Sequence, residues 1–223
     1  TLCMSDRTDP QLAFNTRSGG IAIDGSEQIL SPLSERWTFS AVFPIFNERQ
    51  ARTIRVAKSK LKGNFNYLML RLCDQYRITR RDIGAVYNGS SVPHSDDTFF
   101  SDGSGYKLAS PTSPIMHAAA ANADEILVRA SDFAGGITAG VFFSINYYLY
   151  QVDDWELDGE EPEESVYRLK ISPPLREAVT TTDEADFDAK SLWRLESADD
   201  GALALRIGKF GAVTLNLVEP IGR

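Results

Sequence analysis

The sequence predicts a mainly β protein with one α-helix at about 48–62 beside its sheet and a small β-barrel domain inserted at 83–164. Three observations lead to this prediction. Apolar and other residues alternate at 37–46 and again at 167–171, which is the period of half-buried strands. The stretch 48–62 has the helical period instead. Between 83 and 164, turn residues recur every several positions, which is typical of short strands and loops.

The first strand is predicted at 37–46. Five of its apolar residues lie at alternate positions and are expected to face the core: Trp37, Phe39, Ala41, Phe43 and Ile45. The residues between them are expected to face outward, because successive side chains of a strand point to opposite sides. A second strand, at 65–73, is apolar at both odd and even positions. That pattern is typical of an interior strand with both faces covered.

The helix between these strands has a start signal, a stop signal and two different sides. Asn47 can accept the free N–H groups of the first turn, and Gln50 can bond back to the N–H of Asn47. Gly63 fits the left-handed position that follows a helix. One side of the helix is apolar and comprises Ala51, Ile54, Ala57 and Leu61.

The two ends of the chain are predicted to form one domain, at 1–82 and 165–223, with 83–164 as the insert. Strands are expected at 167–171, 192–195, 202–207 and 212–218, and we expect all of them to complete the sheet that begins at Trp37. The last two are joined by Gly208-Lys-Phe-Gly211, which predicts a hairpin. Residues 141–152 are predicted as a strand of the insert.

Composition limits the classes of function. The net charge of −8 argues against a protein that grips nucleic acid, because cation contacts dominate phosphate binding. Cys3 and Cys73 are expected to be free thiols in a reducing compartment. The N-terminal residues do not resemble a signal peptide, and no apolar stretch is long enough to span a bilayer. We therefore expect a soluble protein that does not insert into membranes.

The second side of the helix is strongly basic. Between 48 and 62 there are six cationic side chains and one carboxylate, Glu48. Such a surface is most often simply solvated. The more specific hypothesis is that it binds an acidic partner. Residues 153–164 hold eight carboxylates in twelve positions, so the chain itself contains such a partner. The predicted interface, within or between subunits, comprises Arg49, Arg52, Arg55, Lys58, Asp153, Asp154, Glu160 and Glu161.

No motif in the sequence indicates catalysis, a cofactor or a metal. The acidic run lacks the spacing of a calcium-binding loop. His94 and His117, the only histidines, lack metal-ligand spacing. A nucleophile elbow, a phosphate-binding loop and a zinc-protease motif are all absent. We therefore predict a protein that is not an enzyme and that needs no cofactor.

The aromatic residues of the insert allow two interpretations. Aromatic side chains usually supply much of the core of a small barrel. Alternatively, they form the sugar platform of a carbohydrate-binding module, comprising Phe99, Phe100, Tyr106, Tyr147, Tyr148 and Trp155. Quenching of Trp155 fluorescence by a saccharide would favour the second interpretation.

Several short motifs, in their order along the chain, resemble those of minor tail proteins from long-tailed bacteriophages. The strand at 37–46 is followed by a helix that opens Asn-Glu-Arg-Gln-Ala at 47–51 and by Leu-Lys-Gly at 61–63. This succession resembles the strand, helix and turn of the N-terminal part of that family.

Later segments extend the resemblance. Ala-Gly-Val-Phe-Phe-Ser-Ile at 139–145 and Leu-Tyr-Gln-Val at 149–152 resemble a middle segment of the family. Ser-Pro-Pro-Leu-Arg at 172–176 and Leu-Trp-Arg-Leu at 192–195, followed by a glycine-turn hairpin, resemble its closing segment. Val141 stands where the family pattern favours Asp.

The resemblance implies a distal tail protein or a close baseplate relative, with the tail-tube fold, which is a β-sandwich or split barrel flanked by an α-helix. Such proteins form a ring, typically a hexamer, that joins the tail tube protein to the baseplate hub and other tail-tip proteins. The implied location is the tail tip of the virion, after synthesis in the host cytoplasm. DNA would pass through the lumen without specific binding, and an acidic protein suits that passage because it does not hold phosphates.

Overall fold

A computed structural model describes residues 6–14, 16–21, 23, 27–30, 35–72, 74, 76–78, 91–92, 98, 101, 106–107, 111–129, 133, 135–158, 166–202, 204–205 and 211–222. Within these ranges the protein is mainly β, with one α-helix. No helix in them has the length and apolar character needed to cross a membrane. The predictions made for Cys3, Cys73, His94, Phe99, Phe100, Glu160 and Glu161 lie outside the described residues.

The helix α1 spans Glu48–Leu61. The strands in chain order are β1 (Asp6–Arg7), β2 (Gln11–Ala13), β3 (Arg17–Ile21), β4 (Glu27–Leu30), β5 (Arg36–Ile45), β6 (Leu68–Arg71), β7 (Ser91–Val92), β8 (Tyr106–Lys107), β9 (Thr112–Pro114), β10 (Glu125–Arg129), β11 (Phe142–Ile145), β12 (Tyr148–Asp158), β13 (Val166–Ser172), β14 (Glu184–Asp186), β15 (Lys190–Leu195), β16 (Ala204–Leu205) and β17 (Gly211–Val218).

The chain folds into two compact units. The first unit comprises Thr1–Leu70 and Leu192–Arg223, and the second comprises Arg71–Ser191. The second unit is longer than the insert predicted at 83–164. It includes β13, which the sequence analysis assigned to the outer domain.

The first unit contains a seven-stranded sheet. Its main order is β1, β5, β17, β15, β6, with β2 also paired to β5 and β16 paired to β17. β5 and β17 are antiparallel along their length, from Ile45 opposite Gly211 to Thr38 opposite Val218. The alternation predicted for β5 is confirmed, because its buried residues are Trp37, Phe39, Ala41, Phe43 and Ile45. β16 and β17 pair antiparallel, as the predicted C-terminal hairpin requires, and the segment that joins them lies outside the described residues.

Helix α1 begins as the sequence predicts and ends one residue earlier. The side chain of Asn47 accepts a hydrogen bond from the N–H of Gln50 at 2.9 Å. The side chain of Gln50 bonds back to the N–H of Phe46, at 2.9 Å, rather than to that of Asn47. Lys62, with a φ of 48°, caps the C-terminus, and Gly63 follows with a φ of 69°. The chain therefore leaves the helix through two left-handed residues, where one was expected.

The prediction that 65–73 is an interior strand is wrong. Among the described strands, β6 is the last in the order of the first sheet. Its residues alternate between half-buried and exposed, and Met69 is 56% exposed. A run of apolar residues does not distinguish a covered strand from an end strand with an exposed apolar side.

The second unit contains a six-stranded sheet in the order β10, β13, β12, β11, β14, β9. The two ends of this order meet. Ile115, directly after β9, forms an antiparallel bridge with Val128 of β10. The N–H of Met116 donates to the carbonyl of Leu127 at 2.8 Å beside that bridge.

The core of the second unit is centred on aromatic rings. The ring of Phe187 is stacked against that of Phe143, with centroids 5.4 Å apart, and meets Phe133 edge-on at 4.9 Å. Phe143 also stacks on Tyr150 at 5.6 Å. None of these four side chains is more than 4% exposed. They therefore fill the core, as aromatic residues usually do in a small β domain.

The prediction that the strand at 167–171 completes the sheet of Trp37 is wrong. β13 pairs with β10 on one side and with β12 on the other, both within the second unit. The alternation itself is confirmed, since Tyr167, Leu169 and Ile171 are buried. Alternation defines which residues face a core, but it does not select the sheet that the strand joins.

Residues 141–152, predicted as one strand, form a hairpin instead. β11 and β12 pair antiparallel, with Ile145 opposite Tyr148 and with Asn146 and Tyr147 in the turn. Both turn residues have positive φ, 49° and 65°, as a tight two-residue hairpin turn requires. The usual signal for such a turn is Asn-Gly, and only its Asn is present here.

Candidate functional site

The predicted interface cations of α1 are accessible on the first unit. Arg49, Arg52 and Arg55 are exposed, and Lys58 is half-buried. Arg52 forms an ion pair with Glu48, one helical turn earlier. An exposed pair of this kind adds about 0.3–0.5 kcal/mol to the helix. Among the described residues, the other three cations have no ion-pair partner, so this side of α1 is a positive surface.

The first half of the acidic run, 153–158, belongs to β12, and the second half lies outside the described residues. Asp153 and Asp154 are both exposed on β12. Asp153 accepts a hydrogen bond from the hydroxyl of Ser172. Asp154 lies opposite Lys170 on β13. In the described ranges, no group of three or more His, Cys, Asp or Glu side chains could hold a metal ion.

Arg168 on β13 is the main counter-charge of this acidic strand. It lies opposite Glu156 and forms ion pairs with Asp158 at 2.7 Å and with Glu125 at 3.7 Å. The hydrogen bond to Asp158, and then its charge, raise the pKa of Arg168. The second unit therefore supplies cations of its own to the first half of the acidic run. The sequence placed Arg168 on a polar strand face, but only the strand register identifies its partners.

Of the six aromatic residues proposed as a sugar platform, the three whose side chains the structure describes do not share one surface. Tyr148 is 5% exposed and belongs to the core of the second unit. Tyr147 is 50% exposed at the tip of the hairpin, and Trp155 is 39% exposed near the far end of β12. At about 3.3 Å per residue, the last two lie roughly 25 Å apart along the strand. The side chain of Trp155 packs edge-on against Tyr167, with centroids 5.2 Å apart. The side chain of Tyr106 lies outside the described part of the chain.

Comparison with known proteins does not place the chain in a family. No protein family matches it, and no curated protein is similar to it.

Sequence reasoning missed an apolar cavity beneath α1 in the first unit. Its volume is ≈ 300 Å³, and its described lining is Phe43, Thr53, Ile54, Ala57, Lys58, Leu61, Leu68, Leu70, Leu195, Gly201, Val213 and Leu215. The helix contributes the small side chain of Ala57 to this wall, which leaves the space between helix and sheet unfilled. The only sequence signal is the presence of alanines in the apolar side of α1.

An exposed apolar stripe begins just before β6 and continues along this strand. It comprises Phe65, Tyr67 and Met69, which lie at alternate positions and are 76%, 47% and 56% exposed. Leu68 and Leu70, between and after them, line the cavity beneath α1. Exposed apolar residues grouped at the end of a sheet are typical of an interaction site.

In the second unit, the tip of the β11–β12 hairpin is tied to a short turn at 180–183. The carboxylate of Asp183 accepts hydrogen bonds from the N–H of Thr180 at 2.7 Å and from the side chain of Asn146 at 3.3 Å. The hydrogen bond from the Thr180 N–H is the largest of the effects that lower the pKa of Asp183 below its ordinary value of 3.8.

We expect Asp183→Asn to destabilise the protein more at about pH 7 than at about pH 2.5. A carboxylate with a lowered folded-state pKa contributes stability above its unfolded-state pKa, and this stability is lost as the pH falls through the folded-state value. Thermal denaturation followed by circular dichroism at both pH values measures the difference. Glu184→Gln, at an exposed neighbour, is the control. An equal loss of Tm at both pH values would contradict the prediction.

Proposed function

We propose that this protein is a ring-forming structural subunit of the distal tail or baseplate of a long-tailed bacteriophage. The observation that supports this most directly is the open sheet of the first unit. In the described part of the chain, its order begins with β1 and β2, which pair one after the other along the same edge of β5, and ends with β6. The outer backbone groups of an end strand can pair with a strand of another chain.

The two ends of the sheet are formed by different strands. A contact in which one end of a copy meets the other end of the next copy is therefore head-to-tail. In that contact, the β6 end of one subunit pairs with the β1 and β2 end of the next. Repeated with the same rotation, such a contact closes into a ring. The apolar stripe on β6 would be removed from water, and the positive surface of α1 would add electrostatic attraction to an acidic partner.

The order of the sequence motifs supplies the rest of the proposal. The first unit would have the tail-tube fold, and the second would be an inserted small barrel closed by the bridge between Ile115 and Val128. The ring, a hexamer, would join the tail tube protein to the baseplate hub and other tail-tip proteins. It would lie at the tail tip of the virion and let DNA pass without specific binding.

The direct test is the mass of the purified protein in solution across a concentration series. Light scattering gives the mass, and negative-stain imaging of the same fractions gives the shape. We expect a ring of defined order, formed either by the protein alone or together with the neighbouring tail proteins. A monomer at every concentration, with and without those neighbours, would contradict the proposal.

We expect Tyr67→Lys combined with Met69→Lys to prevent ring assembly while the monomer stays folded. The two charges would have to be buried at the β6 end of every subunit, which lowers the association constant at least about tenfold. Both residues are exposed, so Tm should change little. Tyr76→Lys, in the second unit and 87% exposed, is the control. Assembly of the double variant at the wild-type concentration would exclude β6 as the contact.

A further inference from the structure

The cavity beneath α1 has the shape and chemistry of a binding site for a small amphipathic molecule. Its walls are formed by apolar side chains from the helix and from the sheet, including Phe43, Ile54 and Leu195. Among its described lining residues, one is charged: Lys58. An apolar cavity does not retain water well, because its walls offer few hydrogen-bond partners. Its natural occupant is therefore a molecule that is mostly apolar.

We propose that this cavity binds an aliphatic carboxylate of about ten carbon atoms, with the chain inside and the carboxylate at the ammonium of Lys58. The ligand chain would lie between the helix and the sheet of one subunit, so binding requires no second copy, while Lys58 also belongs to the positive surface of α1 that the proposed ring contact uses.

The volume of the cavity limits the length of the ligand's carbon chain. At about 30 Å³ for a unit the size of a water molecule or a methylene group, ≈ 300 Å³ accommodates about ten such units. A chain of sixteen carbons, or a lipid with two acyl chains, exceeds this space. Ala57 sets the limit on the helix side, since any larger side chain there would occupy the cavity.

The charge of the head group follows from Lys58. This residue is half-buried on α1 and lines the cavity. Half-buried lysines typically lay the aliphatic stem on an apolar wall and keep the ammonium in water, and the proposed head group would meet that ammonium. Within the described ranges Lys58 has no ion-pair partner. An anionic head group at the mouth would supply one.

Isothermal titration calorimetry of the full chain with decanoate tests the proposal. We expect a Kd of roughly 10–1,000 µM, because small ligands gain a limited binding free energy per non-hydrogen atom. Decanol, which lacks the charge, should bind more weakly, and palmitate should bind more weakly because of its length. Absence of decanoate binding, or palmitate binding as tight as that of decanoate, would overturn the proposal.

Three variants connect the binding to the cavity. Lys58→Met should weaken decanoate binding about threefold and leave decanol binding unchanged, because only the exposed ion pair is lost. Lys60→Met is the matched control on the same helix turn, since Lys60 is exposed and does not line the cavity. Ala57→Phe should abolish binding of both ligands and raise Tm, because the new ring fills the space.

The outcomes separate a binding site from a packing defect. If Ala57→Phe raises Tm but the wild type does not bind decanoate, the cavity is only unfilled space and the proposal fails. If decanoate binding is unchanged in Ala57→Phe, the ligand binds elsewhere and the proposal fails as well. If Ala57→Phe does not fold, Thr53→Leu at the same wall takes its place. Light scattering of the same samples reports ring assembly separately.

Discussion

Phe187→Ala should destabilise the second unit by about 3–5 kcal/mol, the usual cost of removing a fully buried phenylalanine. The ring of Phe187 has no solvent exposure. It contacts Phe143 and Phe133 with centroids 5.4 Å and 4.9 Å away. Because both neighbours belong to the rigid aromatic centre of the unit, the surroundings cannot collapse fully into the space that the ring leaves.

Thermal denaturation monitored by near-ultraviolet circular dichroism measures this effect. A loss of this size should lower the Tm of the second unit by roughly 10–20 °C. Phe187→Leu keeps most of the volume and should cost about 1.5 kcal/mol or less. A similar loss in both variants would mean that the ring contacts, rather than the volume, dominate at this position.

Phe187 also separates what local patterns show from what they do not. With Ala185 and Ala189 it alternates with charged residues, which indicates the buried side of a strand, but no local pattern names the rings that it packs against. The structure buries it between residues that are distant along the chain. In contrast, the alternation over β5 and the caps of α1 involve only neighbouring residues. Their burial and boundaries were therefore predictable to within a residue.

The choice between sheets was not predictable from the chain. β13 alternates in the same way as β5, yet it pairs with β10 and β12 in the second unit. Which strands pair is decided by packing over the whole domain. For the same reason, the neighbours of the candidate interface residues could not be predicted. The sequence identified a basic helix and an acidic run, but only the register of β12 against β13 placed Arg168 and Lys170 beside the carboxylates.

If the proposed ring assembles through the positive surface of α1, Arg49→Glu combined with Arg55→Glu should weaken association about hundredfold at low salt, because like charges across an interface cost several kcal/mol. These two residues are better chosen than Arg52, which is already paired with Glu48. Both are exposed, so the monomer should remain folded, with Tm changed only slightly. Light scattering over a range of protein and salt concentrations measures the effect.

Measurements at several salt concentrations separate an electrostatic contact from other kinds of contact. If electrostatic attraction of the α1 surface drives association, high salt should reduce the difference between variant and wild type. Arg49→Gln with Arg55→Gln removes the charges without reversing them and should give an intermediate loss. Association that is unaffected by either pair would show that the positive surface is only solvated.

A second reversal tests which carboxylates the helix meets. If β12 of a neighbouring copy is the partner, Asp154→Lys with Glu156→Lys should restore association of the Arg49→Glu and Arg55→Glu variant. Asp154 and Glu156 already lie opposite Lys170 and Arg168, so the strand has limited negative charge left for the helix. Failure to restore association would therefore favour the later part of the acidic run, at Glu160 and Glu161, as the surface that the helix binds.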